Sequence, residues 1–89
     1  MASIRIPTPL RAFTGGNERV RVQGATVQEA LDDLTAQYPD LKQHLYDNGT
    51  LRSFVNVFLG EEDVRYLQGV ETPLEADDQL MIIPSIAGG

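Results

Sequence analysis

Only one stretch of this chain carries sustained helical periodicity, and that limits what it can fold into. Val27, Ala30, Leu31, Leu34 and Tyr38 recur at spacings that put them on one apolar stripe, with Asp32, Asp33 and Gln37 mostly off it. Thr26 is a good N-cap, Glu29 three residues later completes a capping box, and Pro39 ends the helix. A single amphipathic helix needs a second layer to cover its stripe. Elsewhere the apolar residues mostly alternate with period two, which predicts that the covering layer is a sheet.

Residues 3–11 read as a first strand, with Ile4, Ile6 and Leu10 at even spacing and Pro7 and Pro9 suggesting an edge or an irregular end. Thr14-Gly15-Gly16-Asn17 is a turn cluster, and residues 18–23 alternate again around Val20 and Val22, so the two runs form a hairpin. Residues 40–50 predict a short helical turn and then a loop closed at Asn48-Gly49, with His44 a partly exposed loop residue. Residues 54–59 are a strong strand. Val55, Val57 and Leu59 face the helix, and Phe54, Asn56 and Phe58 the opposite side. Residues 60–63 turn the chain and 64–67 form a short strand. Residues 69–78 form a loop with a helical turn near Thr72-Pro73-Leu74, and 79–83 the last strand. The order ββαβββ is α+β: a mixed sheet of four or five strands packed on one main helix.

Composition narrows function mainly by exclusion. The chain has 89 residues, so one domain is expected, and it is 42% hydrophobic and 22% charged. It has no apolar run of the roughly 18 residues that would suggest a membrane span. No basic stretch followed by a signal-like apolar core opens it, which points to the cytoplasm. A net charge of −6 with seven basic residues argues against nucleic acid, whose phosphates need clustered cations. The absence of cysteine removes disulfides, Cys-ligated zinc and thiol nucleophiles, and His44, the one histidine, cannot by itself build a triad or a metal site. Thr14-Gly15-Gly16-Asn17 lacks the Gly-Lys-Ser/Thr ending of a phosphate loop and precedes a strand, so a hairpin turn is the better reading. Glu61-Glu62-Asp63 has no His or Cys nearby and reads as solvated loop charge rather than a metal site. Phe54 and Phe58 form either a small second cluster under the 40–50 loop or a docking patch; the sequence leaves both open.

The end of the chain remains to be explained. After the last strand it breaks at Pro84 and stops on Gly88-Gly89, so residues 1–84 are expected to form the domain and 85–89 a flexible tail. Five extended residues reach about 17 Å, and a tip without side chains can enter a narrow active-site channel. The terminal carboxylate, with a pKa of about 3.5, is ionised and a poor electrophile. Adenylation by an ATP-using partner would activate it, and a sulfur nucleophile would then make a thiocarboxylate. In a chain without a thiol, the carbonyl of Gly89 is the one plausible place to carry sulfur.

This order of elements, with Ala87-Gly88-Gly89 at the end, resembles the ubiquitin-like sulfur carriers of the MoaD/ThiS family, whose fold is the β-grasp. The stretches "IPTPLRAFTGG" (6–16), "FVNVFLGEEDVR" (54–65) and "IPSIAGG" (83–89) are most similar to the branch that serves cysteine biosynthesis. The resemblance implies that Gly89 carries the thiocarboxylate and that Gly88, Ala87 and Ile86 form the tail leading to it. It implies activation by a ubiquitin-activating-enzyme-like adenylyltransferase and sulfurtransferase that uses ATP. It also implies transfer to a pyridoxal-phosphate cysteine synthase acting on O-phosphoserine, and release of cysteine by a zinc metalloprotease. All catalytic groups and cofactors would then belong to partners, and this chain would be a protein cosubstrate rather than an enzyme. Phe54, Phe58, Asp63 and Arg65 are the expected docking surface. Three alternatives stay open: the small subunit of molybdopterin synthase, a protein modifier joined through Gly89, and a plain binding module with a dispensable tail. The segment Ile83-Pro84-Ser85-Ile86 departs from the usual molybdopterin-subunit ending.

Overall fold

The computed structural model describes residues 2–53 and 55–84. Strands β1 (Ala2–Arg5), β2 (Arg19–Val22), β5 (Val55–Leu59), β6 (Glu62–Asp63) and β7 (Gln79–Pro84) form one sheet in the order β2-β1-β7-β5-β6. β1 runs parallel to β7 and the other neighbours are antiparallel, so the sheet is mixed, as expected. The main helix, α1 (Val27–Gln37), covers one face. A short helix α2 (Lys42–Leu45) and a small hairpin of β3 (Tyr46–Asp47) and β4 (Thr50–Leu51) fill the connection to β5. This is the ubiquitin-like β-grasp arrangement.

Register explains why one face of the sheet is core. Val20, Ile4, Leu80 and Leu59 are successive partners across β2, β1, β7 and β5, and the first three are buried. Val57 pairs with Ile82, and both are almost wholly buried. Val27, Ala30, Leu31 and Leu34 of α1 supply the other side of this core, closed at one end by Leu41 and Leu45. The valines of β5 face the core and Phe58 lies on the other side, as the alternation predicts.

Local chemistry accounts for the element ends, including those that differ from expectation. Thr26 caps α1 by accepting from the Glu29 amide at 3.2 Å. The return arm of the expected capping box goes one residue further back: the Glu29 carboxylate accepts from the Ala25 amide at 3.0 Å. The expected first strand stops at Arg5, because Pro7 and Pro9 seed a 3-10 helix over Thr8–Thr14 that carries Leu10. His44 lies on α2 rather than in a loop, its ring 4.2 Å from that of Phe13. Asn48 and Gly49 both adopt positive φ (53° and 79°), which suits the two-residue turn that makes this region a hairpin rather than a loop.

Two further corrections lie before β7. Residues 64–67, expected as a strand, begin with a 3-10 turn over Val64–Tyr66, because the Asp63 carboxylate caps it by accepting from the Arg65 amide at 2.9 Å. The helical turn expected at Thr72-Pro73-Leu74 forms earlier, at Gly69–Glu71. Thr72 precedes a proline, is held extended (φ −56°, ψ 124°), and bonds to the entry of α1 instead.

Gly24 makes the closest approach among the described glycines. A Cβ there would lie 2.7 Å from the Ala30 nitrogen and 2.8 Å from Glu29 atoms, against helix backbone that cannot yield cheaply. Gly24→Ala is therefore expected to destabilise by roughly 1–3 kcal/mol, read from urea melts. Unchanged stability would mean that α1 shifts freely on the sheet.

Candidate functional site

The site begins where β7 ends. β7 is the middle strand of five, with β1 on one side and β5 on the other, and its last residue, Pro84, pairs with Val55. β5 therefore pairs with β7 up to Pro84, while β1 flanks only its first half, Gln79–Met81. Pro84 and Val55 also border a cavity of about 240 Å³ whose other walls include Leu10, His44 and Arg52. Arg52 is held there by two bonds from its guanidinium to the Gln43 carbonyl, at 2.9 and 3.2 Å. Gly89, Gly88, Ala87 and Ile86 lie outside the described residues, as does Phe54.

The outer face of the sheet, away from α1, carries one ordered row. Arg19 pairs with Arg5, Arg5 with Met81, Met81 with Phe58 and Phe58 with Asp63, so the row crosses all five strands. It runs from two cations through thioether and phenyl to a carboxylate. Phe58 and Met81 are half-buried, and Ile83, beside Asn56 in the next outward row, is 39% exposed. Two like charges facing each other across strands cost stability. The Glu18 carboxylate, 4.0 Å from the Arg5 guanidinium, offsets little of this, because both side chains are more than half exposed. The face thus combines an apolar centre with a basic flank on an otherwise acidic chain.

Among the residues expected at a docking surface, Phe58 and Asp63 are brought side by side. Asp63 also has a structural task, capping the turn that follows. Arg65 points its guanidinium inward along the sheet edge, donating to the Ser53 carbonyl at 2.7 Å and the Val55 carbonyl at 3.1 Å. It secures the start of β5, where β6 is too short to pair. Sequence reasoning missed Arg5, Arg19, Met81 and Ile83 as members of this face. The signal was present: Met81 and Ile83 alternate with the buried Leu80 and Ile82. Among the described residues, no group of three or more His, Cys, Asp or Glu could hold a metal, and no helix is long and apolar enough to cross a membrane.

Comparison with known proteins gives three findings. Residues 4–89 match the profile of the ThiS family. The sulfur carrier protein CysO of Mycobacterium tuberculosis is 38% identical over 90 residues, covering 98% of this chain and 97% of that protein. Among solved structures, a chain in the BexX/CysO complex of Amycolatopsis orientalis superposes with a TM-score of 0.90 at 39% identity, with 100% of each chain covered. The small archaeal modifier protein 1 of Methanosarcina acetivorans also gives 0.90, at 27% identity, with 99% of this chain and 95% of that one covered.

Proposed function

Because the chain belongs to the ThiS family, we propose that it is a sulfur carrier whose Gly89 is activated as an acyl adenylate and converted to a thiocarboxylate for cysteine synthesis. The observation that carries this reading is that the family match runs to residue 89, through the terminal Gly88-Gly89. The likeness to a sulfur carrier along nearly the whole chain points the same way.

The chemistry follows from the terminus. The Gly89 carboxylate attacks the α-phosphorus of ATP on a ubiquitin-activating-enzyme-like partner, forming the acyl adenylate and releasing pyrophosphate. Hydrosulfide supplied by a sulfurtransferase then displaces AMP, leaving –COSH on Gly89. On a pyridoxal-phosphate cysteine synthase, phosphate leaves O-phosphoserine and the carrier's sulfur bonds to the freed β-carbon. Acyl transfer from sulfur to the amine leaves cysteine amide-linked to Gly89, and a zinc metalloprotease hydrolyses that amide. The chain contributes an unhindered tip and a docking surface; the reacting side chains and cofactors belong to the partners. A cytoplasmic location belongs to the same proposal.

For docking, the outer-face row around Phe58, with Phe54 and Asp63, is the surface offered to the activating enzyme. Arg65 supports it by fixing the β5 edge. Phe58→Ala is expected to weaken the complex by about tenfold or more while the fold persists, since a half-exposed aromatic anchors binding more than core. Titration calorimetry with a melting control checks this. Loss of the fold with normal binding by the refolded fraction would make Phe58 a core residue.

The pathway is tested by mixing thiocarboxylated carrier, the host's synthase and O-phosphoserine, and weighing the product. A mass gain of one cysteinyl adduct, reversed by the metalloprotease, supports the reading. No adduct, together with conversion of precursor Z to molybdopterin in the presence of a large subunit, would identify a molybdopterin synthase subunit instead. A second reading, a protein modifier joined to lysines through Gly89, draws on the likeness to an archaeal modifier. It predicts a ladder of higher-mass conjugates in cells.

A further inference from the structure

Three large apolar side chains stand out as exposed among the described residues: Tyr66, Leu67 and Ile83. Ile83 belongs to the outer sheet face. Tyr66 (86% exposed) and Leu67 (40%) are adjacent and lie past β6, at and just after the 3-10 turn of Val64–Tyr66. We propose that Tyr66 and Leu67 form a second protein-docking site, separate from the outer sheet face, and that it fits a partner offering an apolar slot bordered by lysine or arginine.

The first argument is rigidity. Val64 is buried at 3% exposure and pins the start of the turn. The Asp63 carboxylate caps it, and the Arg65 guanidinium ties it to the Ser53 and Val55 carbonyls. Beyond it, the Leu67 amide donates to the Val64 carbonyl at 3.0 Å. The Gln68 amide donates to the Thr72 hydroxyl at 3.0 Å, and that hydroxyl donates to the Gly69 carbonyl at 2.7 Å. An exposed tyrosine and leucine on backbone fixed at both ends have already lost much of the freedom that binding would otherwise remove. A tyrosine also brings a large contact area with few rotatable bonds.

The second argument is charge. Between residues 60 and 78 the only cation is Arg65, and its guanidinium is bonded within the chain. Asp63 and Asp78 are spent on the Arg65 and Glu75 amides. Glu61, Glu62, Glu71, Glu75 and Asp77 are all exposed. Glu71 and Val70 share a hollow with Gln68, next in sequence to Leu67, and with Glu29 of α1. An apolar pair within such a segment complements a basic partner and repels an acidic one. The outer sheet face differs in carrying Arg5 and Arg19 at its far flank.

The test uses the full-length chain in its native host, with a photo-crosslinking amino acid at position 68, next to the intact Tyr66-Leu67 pair. The expected result is a discrete crosslinked partner. Once purified, that partner should bind the wild-type chain more weakly as salt rises. It should lose about tenfold or more in affinity to Tyr66→Ser/Leu67→Ser, and lose affinity also to Glu62→Lys/Glu71→Lys. Melting curves of the variants control for folding, and both pairs are exposed, so they should match wild type. Deleting Gly88 and Gly89 should leave the crosslink in place, which separates this site from the sulfur-carrier reading. No crosslinked partner, a crosslink only to a second copy of this chain, or a partner that binds both variants as tightly as wild type would each overturn the proposal.

Discussion

Deleting Gly88 and Gly89 is expected to abolish activation while leaving the melting temperature almost unchanged. Among the described residues, every buried residue of the core lies between Ala2 and Ile82, and β7 pairs with β5 up to Pro84. No described contact depends on the last two glycines. Truncation leaves Ala87 as the terminus and shortens the reach from Pro84 by about 7 Å. That distance far exceeds the tolerance of a nucleophile that must meet a phosphorus atom at about 3 Å. ATP–pyrophosphate exchange should therefore fall to background. Exchange that survives would sink the role of Gly89, and a steep fall in melting temperature would mean that the glycines are structural. Gly88→Val tests the same idea without shortening the tail. The added side chain should block passage through a narrow channel and stop sulfur transfer, whereas Ser85→Ala, at the tail's base, should be mild.

The second large effect is on stability. Leu31 is fully buried on α1, and Val57 is 1% exposed at the centre of β5, paired with Ile82. Leu31→Ala is expected to cost roughly 2–4 kcal/mol and Val57→Ala roughly 1–3, as each leaves a cavity between helix and sheet. For a domain whose total stability is about 5–15 kcal/mol, the first change alone removes a large fraction. At about 4–8 °C per kcal/mol, Leu31→Ala should lower the melting temperature by roughly 8–32 °C. Two neutral substitutions in denaturant melts would show that this face of the helix is not the core.

What could be read from the chain beforehand depended on how local the deciding interaction was. The helix was legible because its stripe, cap and proline stop all lie within residues 26–39. The inward valines of β5 were legible from simple alternation. The 3-10 segments were not. A strand and a 3-10 turn over residues 64–67 both bury Val64, and the choice between them turns on the Asp63 carboxylate taking the Arg65 amide. Likewise, Ile6 is buried whether or not the strand continues past Arg5, and the two following prolines end it. The outer face was only half legible. Phe58 and Asp63 are close in sequence, but Arg5, Arg19 and Met81 join them through register between strands far apart in the chain. Gly89 was singled out from the terminal Gly-Gly, the lack of any thiol and the resemblance to the MoaD/ThiS carriers.

The parallel pairing of β1 with β7 bears on what happens when a partner draws the tail into its active site. Traction on the C-terminus would act along β7, which β5 flanks over Leu80–Pro84 and β1 over Gln79–Met81. Strands loaded along their length must yield in shear, with the bonds of a ladder strained together, whereas an edge strand pulled away sideways unzips one bond at a time. On the proposed reading, a carrier gripped by its end is therefore expected to keep the shape of its body.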